Sequence, residues 1–155
     1  MARFLADCNV GRLARWLRAL GYDAAYEPRL PDAQVVGRAL AEGRVLLTRD
    51  ADMMRRRVIA GGGVRAILLR DDRVQEQVRQ VVEELDLLAG DPAVALSRCL
   101  DCNVELEPVP KAAVLDRLPP HVRATQTRFS RCTRCARVYW PGTHWQRMRE
   151  RIAAL

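Results

Sequence analysis

Apolar positions along the first ninety residues switch between two periods. RFLAD (Arg3 to Asp7) is a short apolar run that predicts a buried strand. Leu13, Trp16, Leu17 and Leu20 follow at i, i+3, i+4 and i+7, one face of an amphipathic helix, with Arg12, Arg15 and Arg18 elsewhere around it. Gly21 suits the position that ends such a helix. Ala24 to Tyr26 predicts a second short strand, and Pro28 and Pro31 mark a loop. From Asp32, the residues Val35, Val36, Ala39 and Leu40 form a second helical stripe, closed by Gly43. RVLLT predicts a strand. The residues from Asp50, with Met53, Met54 and Val58, predict one helix ended by Gly61, Gly62 and Gly63. VRAILL (Val64 to Leu69) is a further strand, and Val74, Val78, Val81, Val82 and Leu85 make a long final helix.

Strands that alternate with helices, and are apolar on both faces, predict an α/β domain with a parallel sheet flanked by helices. It spans roughly residues 1–92, with Asp91-Pro92 as the start of a linker. Beyond it the character changes. Arg98 to Trp140 holds short segments, several prolines and two CxxC pairs, and the helical signal stays weak until Trp145–Ile152. Residues 93–155 therefore read as a C-terminal zinc ribbon with a terminal helix. A chain of 155 residues suits a small domain plus a mini-domain.

Charge sharpens this division. Residues 1–92 carry 15 basic and 14 acidic side chains, while residues 93–155 carry 11 basic and 5 acidic. Nearly all of the net charge of +7 thus lies in the second unit. Of 26 basic residues only Lys111 is lysine. Arginine pairs bidentately with phosphate and stacks on bases, which suits nucleic acid, although genome composition also raises arginine content. No stretch approaches the roughly 20 apolar residues that cross a bilayer. Only six residues precede Asp7, too few for a signal peptide, so a cytoplasmic location is expected.

Four of the five cysteines, Cys99, Cys102, Cys132 and Cys135, form two CxxC pairs. Without a secretion signal this pattern favours zinc over disulfides. A two-residue spacer lets both sulfurs of a pair turn to one metal, and four thiolates fill a tetrahedral shell. Such a zinc is structural, with no open position for catalysis. Arg131 and Arg134, with Phe129, Tyr139, Trp140 and Trp145 interleaved, suit single-stranded RNA; the aromatics equally suit packing against the rest of the chain. The fifth cysteine, Cys8, reads as a small buried apolar group. A nucleophilic role would need a nearby histidine, and His121 and His144 both fall in the second unit.

The stretch VLLTRDAD (Val45 to Asp52) runs from a buried strand into two carboxylates. Asp7, Asp32 and Asp50 each stand where a helix is expected to start, and each alone reads as an N-cap. Together they suggest more. Strand C-termini of a parallel sheet open on one edge, where ligands bind. Asp7, Asp32 and Asp50, with Asp52 one further residue along, would repel one another there unless a hard cation neutralised them. Mg²⁺ or Mn²⁺ takes oxygen ligands and keeps open positions for water and phosphate. The corresponding chemistry is phosphodiester hydrolysis. Arg12, Arg15 and Arg49 lie close by in sequence and could meet an RNA backbone or simply form a solvated face. The triplet Arg55 to Arg57 cannot all point one way on a helix.

DCNVGRLARWLRALGYD, RVLLTRDAD, SRCLDCN and FSRCTRCARVYWPGTHW, in that order, resemble the Mut7-C RNase family. That family pairs a PIN-like nuclease domain with a zinc ribbon. The resemblance implies that Asp7, Asp32 and Asp50 match acidic positions of PIN-type nucleases, which bind Mg²⁺ or Mn²⁺ and cut RNA. The expectation is a metal-dependent endoribonuclease whose ribbon helps hold RNA. The alternatives are a non-catalytic RNA-binding protein, associated with ribosomes or tRNA, and a module that recruits a protein partner. An antitoxin partner is not required by the sequence.

Overall fold

Four short strands, Arg3–Ala6 (β1), Asp23–Tyr26 (β2), Val45–Thr48 (β3) and Ala66–Leu68 (β4), lie side by side in the order β2-β1-β3-β4, all parallel. This computed structural model describes residues 1–87 and 96–154; the expected linker start at Asp91-Pro92 lies outside the described residues. The chain steps from β1 to β2 on one side, then back across β1 to β3. Parallel crossovers are right-handed, so two steps in opposite directions place their helices on opposite faces of the sheet. Gly11–Ala19 (α1) covers one face with Val74–Glu84 (α5); Asp32–Glu42 (α2), Ala51–Met54 (α3) and Arg57–Ala60 (α4) cover the other.

Side chains obey the strand period of two. Phe4, Ala6, Ala24, Leu47 and Ile67 join Leu13, Leu17, Val78 and Val81 on the α1 face. Their neighbours Leu5, Ala25 and Leu46 join Val35, Ala39, Met53 and Ile59 on the α2 face. Fully burying each of the larger side chains stabilises the fold by about 1.5–3 kcal/mol.

The single helix expected from Asp50 to Gly61 is broken into α3 and α4, with Arg56 in an extended conformation at the break. The reason is packing. Met53 and Ile59, six residues apart, would point about 120° apart on a continuous helix. The break brings both into one apolar cluster, while Val58 is left partly exposed.

The second unit holds an antiparallel sheet of Leu106–Val109 (β5), Phe129–Cys132 (β6) and Val138–Tyr139 (β7), in that order. Two short helices that were not expected from the sequence, Lys111–Val114 (α6) and Pro120–Thr125 (α7), connect β5 to β6. Val114, Leu118, Val122 and Phe129 close a small core there. The last helix, Thr143–Ala153 (α8), returns to the first unit, where Trp145 and Met148 pack on Ala19 of α1. No helix among the described residues is long and apolar enough to cross a membrane.

Leu96 N donates to Ala19 O of α1 (3.2 Å), and the other polar contacts described between the two units gather at one loop, residues 99–103. The Arg18 guanidinium, buried and not on a solvated face, donates through Nε to Ala24 O (2.8 Å) and through Nη1 to Leu100 O (2.7 Å) and Asp101 O (3.3 Å). Asn103 Oδ1 accepts from Ala24 N (3.0 Å) and its Nδ2 donates to Asp23 Oδ1 (2.7 Å). Asp101 pairs with Arg15 of α1 and with Arg137 of the ribbon. On the first unit, Arg44 bonds to the Asp23 carboxylate, to Glu42 and to Phe4 O, tying together β1, β2 and the end of α2.

Two predictions follow from these contacts. Arg18→Met removes the side-chain donor to the buried Ala24 O, at about 1–3 kcal/mol, and to the half-buried Leu100 O on the other unit. Hydrogen exchange across residues 99–103 should therefore quicken and the urea midpoint fall; an unchanged exchange pattern would show that Arg18 does not hold the loop. For Asp23, burial pushes its carboxyl up, but hydrogen bonds from Arg44 and Asn103 outweigh this and hold it below the ordinary range. A lowered folded value stabilises above the unfolded value of about 3.9, and that stabilisation fades as pH falls through the folded value. The stability gap between the wild type and Arg44→Gln should accordingly be widest near neutrality and shrink below about pH 4, as read from urea melts.

Candidate active site and metal centre

Asp7 directly follows β1, and Asp50 stands two residues beyond β3. These are neighbouring parallel strands at the point where the strand order reverses, so both residues emerge at the crevice where open α/β sheets bind ligands. Thr48, the last residue of β3 and fully buried, links them. Its hydroxyl donates to Asp7 Oδ2 (2.8 Å) and accepts from Asp50 N (3.0 Å). Asp7 Oδ1 accepts from Cys8 N (2.8 Å), capping a short 3-10 turn at Cys8–Val10. Asp50 Oδ1 accepts from Asp52 N (2.9 Å) and caps α3.

Asp7 is 3% exposed, the one buried carboxylate among the described residues, and no arginine or lysine pairs with it there. Asp50 also lacks an ion pair among the described residues. The other expected members behave differently. Asp52 faces solvent and pairs with Arg55. Asp32 is not an N-cap, because Pro31 takes that position and its carbonyl accepts from Gln34 N; Asp32 opens to solvent 3.9 Å from Arg56 Nη2. Its carboxylate still reaches the Asp7 neighbourhood electrostatically. Burial first, then the charges of Asp7 and Asp32, raise the thiol of Cys8. That thiol is exposed, which corrects the expectation of a buried apolar group.

The four aspartates do not converge as a set. Among the described residues, the cysteines are the one group of three or more candidate ligands whose donor atoms all lie within 4.8 Å of one another. What the edge offers is a pair, Asp7 and Asp50, linked through Thr48. Mg²⁺ usually retains several waters and takes one or two protein carboxylates, so this donor set fits a water-rich cation rather than an all-protein cage.

A cleft of about 570 Å³ opens beside this edge, lined by Cys8, Asn9, Arg12, Arg15, Tyr26 and Asp101 among others. Arg12 is exposed there without an ion pair among the described residues, while Arg15 is engaged by Asp101. Gly11 is required at the cleft floor, because a Cβ would come within 2.6 Å of the Tyr26 ring. Arg49 is exposed beside Asp50, Arg134 is exposed on the ribbon and Arg131 is half-buried on β6.

The second centre is built by Cys99, Cys102, Cys132 and Cys135. Thiolates around one zinc sit about 3.8 Å apart, as a tetrahedron with Zn–S near 2.3 Å requires. Cys99 Sγ and Cys135 Sγ are 3.8 Å apart. Both knuckles have the same backbone: Asn103 and Ala136, each just after the second cysteine, take positive φ of 63° and 62°, and donate to Cys99 O and Cys132 O. Amides turn to the sulfurs, Cys102 N to Cys99 Sγ, and Arg134 N and Cys135 N to Cys132 Sγ, all at 3.4 Å. Burial alone would raise the Cys132 thiol, but these two amides and the neighbouring thiols bring it down to about 7.

Sequence reasoning missed two residues that serve these centres. Thr48 ends an apolar strand and is the polar residue there that becomes buried. Tyr139, left open as an RNA contact or packing residue, lies 3.1 Å through its hydroxyl from Cys99 Sγ and accepts from Leu100 N. Facing a zinc-bound thiolate, that hydroxyl would be the donor.

The sequence profile of the Mut7-C RNAse domain family matches residues 2–152, nearly the whole chain. No curated protein and no solved structure matched the chain significantly.

Loss of a partner to a metal ligand typically weakens metal affinity by about 10- to 100-fold. Tyr139→Phe should therefore lower zinc affinity in a chelator competition while the protein still binds zinc. Cys132→Ser should release zinc, read by elemental analysis, and loosen residues 96–154. Full zinc content in Cys132→Ser would contradict the four-thiolate centre.

Proposed function

The chain belongs to the Mut7-C RNAse domain family, and on that premise we propose that it is a Mg²⁺- or Mn²⁺-dependent endoribonuclease whose basic ribbon helps hold the RNA. One observation carries the reading. The carboxylate of Asp7 is buried at the ligand-binding edge of the sheet, in a chain rich in arginine, and no arginine reaches it among the described residues. An uncompensated buried charge is strongly unfavourable. A cation bound at that edge is the natural counter-charge.

Asp7 and Asp50 would hold the cation, with Asp32 near enough to engage it through water. When bound, it would supply an acidified water and neutralise charge on the phosphoryl oxygens. The chain's own residues do the rest. Thr48 fixes the Asp7 carboxylate by donating to Oδ2, and the Cys8 amide fixes Oδ1, so the charge is aimed and not free to rotate. Asp50 is fixed likewise by the Asp52 amide. Arg12 and Arg49, exposed and without ion pairs among the described residues, are available to phosphates of a bound strand.

A second reading has its own support: the aspartates do not converge into a three-carboxylate set. On that reading the chain grips RNA without cutting it. Asp50→Asn separates the two cleanly. Asparagine caps a helix about as well as aspartate, so α3 and the melting temperature should hold. Only the charge is lost. Mn²⁺-dependent cutting of mixed RNA should drop to background in this variant. Cutting at the wild-type rate would refute the assignment of Asp50, and no cutting by the wild type would favour the non-catalytic reading.

A further inference from the structure

A second groove, of about 410 Å³, runs between the ribbon sheet and α8. Its walls include Phe129, Tyr139, Trp140 and Trp145, and its rim includes Arg128 and Arg149. Trp140 is half-buried and lies against Phe129, with ring centroids 6.2 Å apart at 60°. Both arginines are exposed, and neither has an ion pair among the described residues. Thr127 and Ser130 add hydroxyls to the lining, and no carboxylate among the described residues lines it. In this it differs from the cleft beside Asp7, which includes Asp72 and Asp101, and from a smaller depression lined by Asp71, Glu76 and Glu83.

We infer that this groove binds an unpaired base of single-stranded RNA, stacked on Trp140, with Arg128 and Arg149 on the flanking phosphates. The chemistry selects this occupant. Flat aromatic surface stacks with any base, and cations without acidic neighbours attract the backbone. The hydroxyls of Thr127 and Ser130 suit base edges. A base held in a duplex shows no free face to a ring, so the groove discriminates against paired RNA. An apolar peptide would gain nothing from the rim arginines. The inference rests on RNA being the substrate, and it makes the ribbon the element that chooses unpaired strands.

The test uses the full zinc-loaded chain carrying Asp50→Asn, so that RNA is not consumed. Fluorescence anisotropy would be read with a labelled 12-nucleotide oligouridylate and with an RNA duplex of equal length, across a salt series. The single strand should bind more tightly than the duplex. Each phosphate contact contributes about −0.7 to the slope of log K against log salt for single strands, so Arg128→Ala with Arg149→Ala should flatten it by about 1.4. Trp140→Leu keeps an apolar contact with Phe129 but removes the stacking ring. It should weaken the single strand by roughly fivefold or more with the slope unchanged. Equal binding of duplex and single strand would overturn the inference. So would an unchanged slope in the double arginine variant, whose exposed positions leave folding and zinc content intact. The nuclease reading fails separately, by absence of Mn²⁺-dependent cutting in the wild-type chain while strand binding still depends on these residues. Conversely, cutting with an unchanged KM in the double arginine variant would sink the groove and leave the nuclease standing.

Discussion

The carboxylate of Asp7 lies under the surface at the end of the central strand pair, and its neighbours are arranged around its charge. Thr48 and the Cys8 amide occupy one lone pair on each oxygen. Thr48 also accepts from the Asp50 amide, so the end of β3 and the start of α3 are positioned by the same hydroxyl. The strand order makes this possible. Because β1 sits between β2 and β3, the chain after β1 and the chain after β3 leave the sheet next to each other but toward opposite faces. Right-handed crossovers produce this divergence, and it leaves the two aspartates at the switch point of the sheet.

Much of this was legible from periodicity. A buried strand followed at once by polar residues marks a strand's C-terminal end, which is why Asp7 and Asp50 could be placed on one edge before any coordinates. The spacing of four cysteines, likewise, fixed a centre by local chemistry alone. What escaped was decided at long range. Asp32 looks like a cap, yet proline already supplies the extended conformation that precedes a helix, and Pro31 takes the role. The break between α3 and α4 exists because Met53 and Ile59 must reach the same cluster, a demand no helical window contains. Arg18 has the spacing of a solvated residue, but carbonyls eighty residues away bury it. The short helices α6 and α7 lack a long apolar stripe and are held by a core of four side chains.

The loop between Cys99 and Asn103 has two duties that a sequence does not connect. It is half of the zinc centre, and its backbone carbonyls and side chains are the polar bond to the parallel-sheet unit. A knuckle is rigid when its sulfurs share a metal, and its structure is a part of folding when they do not. Metal at the ribbon would thus fix the orientation of Leu100 O, the Asp101 carboxylate and Asn103 relative to α1 and β2. Asp101 in turn sits in the lining of the cleft beside Asp7 and holds Arg15 and Arg137. A zinc held by the four cysteines would therefore shape the surface next to the candidate catalytic edge without taking part in its chemistry.

Arginine content, taken whole, overstates how much charge is available to RNA. Arg18 and Arg44 are spent inside the protein, one across the two units and one across β1, β2 and α2. Arg15, Arg55 and Arg137 are engaged by carboxylates. Those exposed without an ion pair among the described residues include Arg12 and Arg49 near Asp7 and Asp50, and Arg128, Arg134 and Arg149 on the ribbon and its terminal helix. Of these, Arg12 and Arg49 stand near the carboxylate pair and Arg128 and Arg149 line the aromatic groove, while others such as Arg57 and Arg65 face solvent elsewhere. A strand that met both would have its phosphates drawn to the candidate catalytic edge by Arg12 and Arg49, while Arg128 and Arg149, with Trp140, sampled whether its bases were unpaired. The positive surplus of the second unit would then act as a selector for strand type.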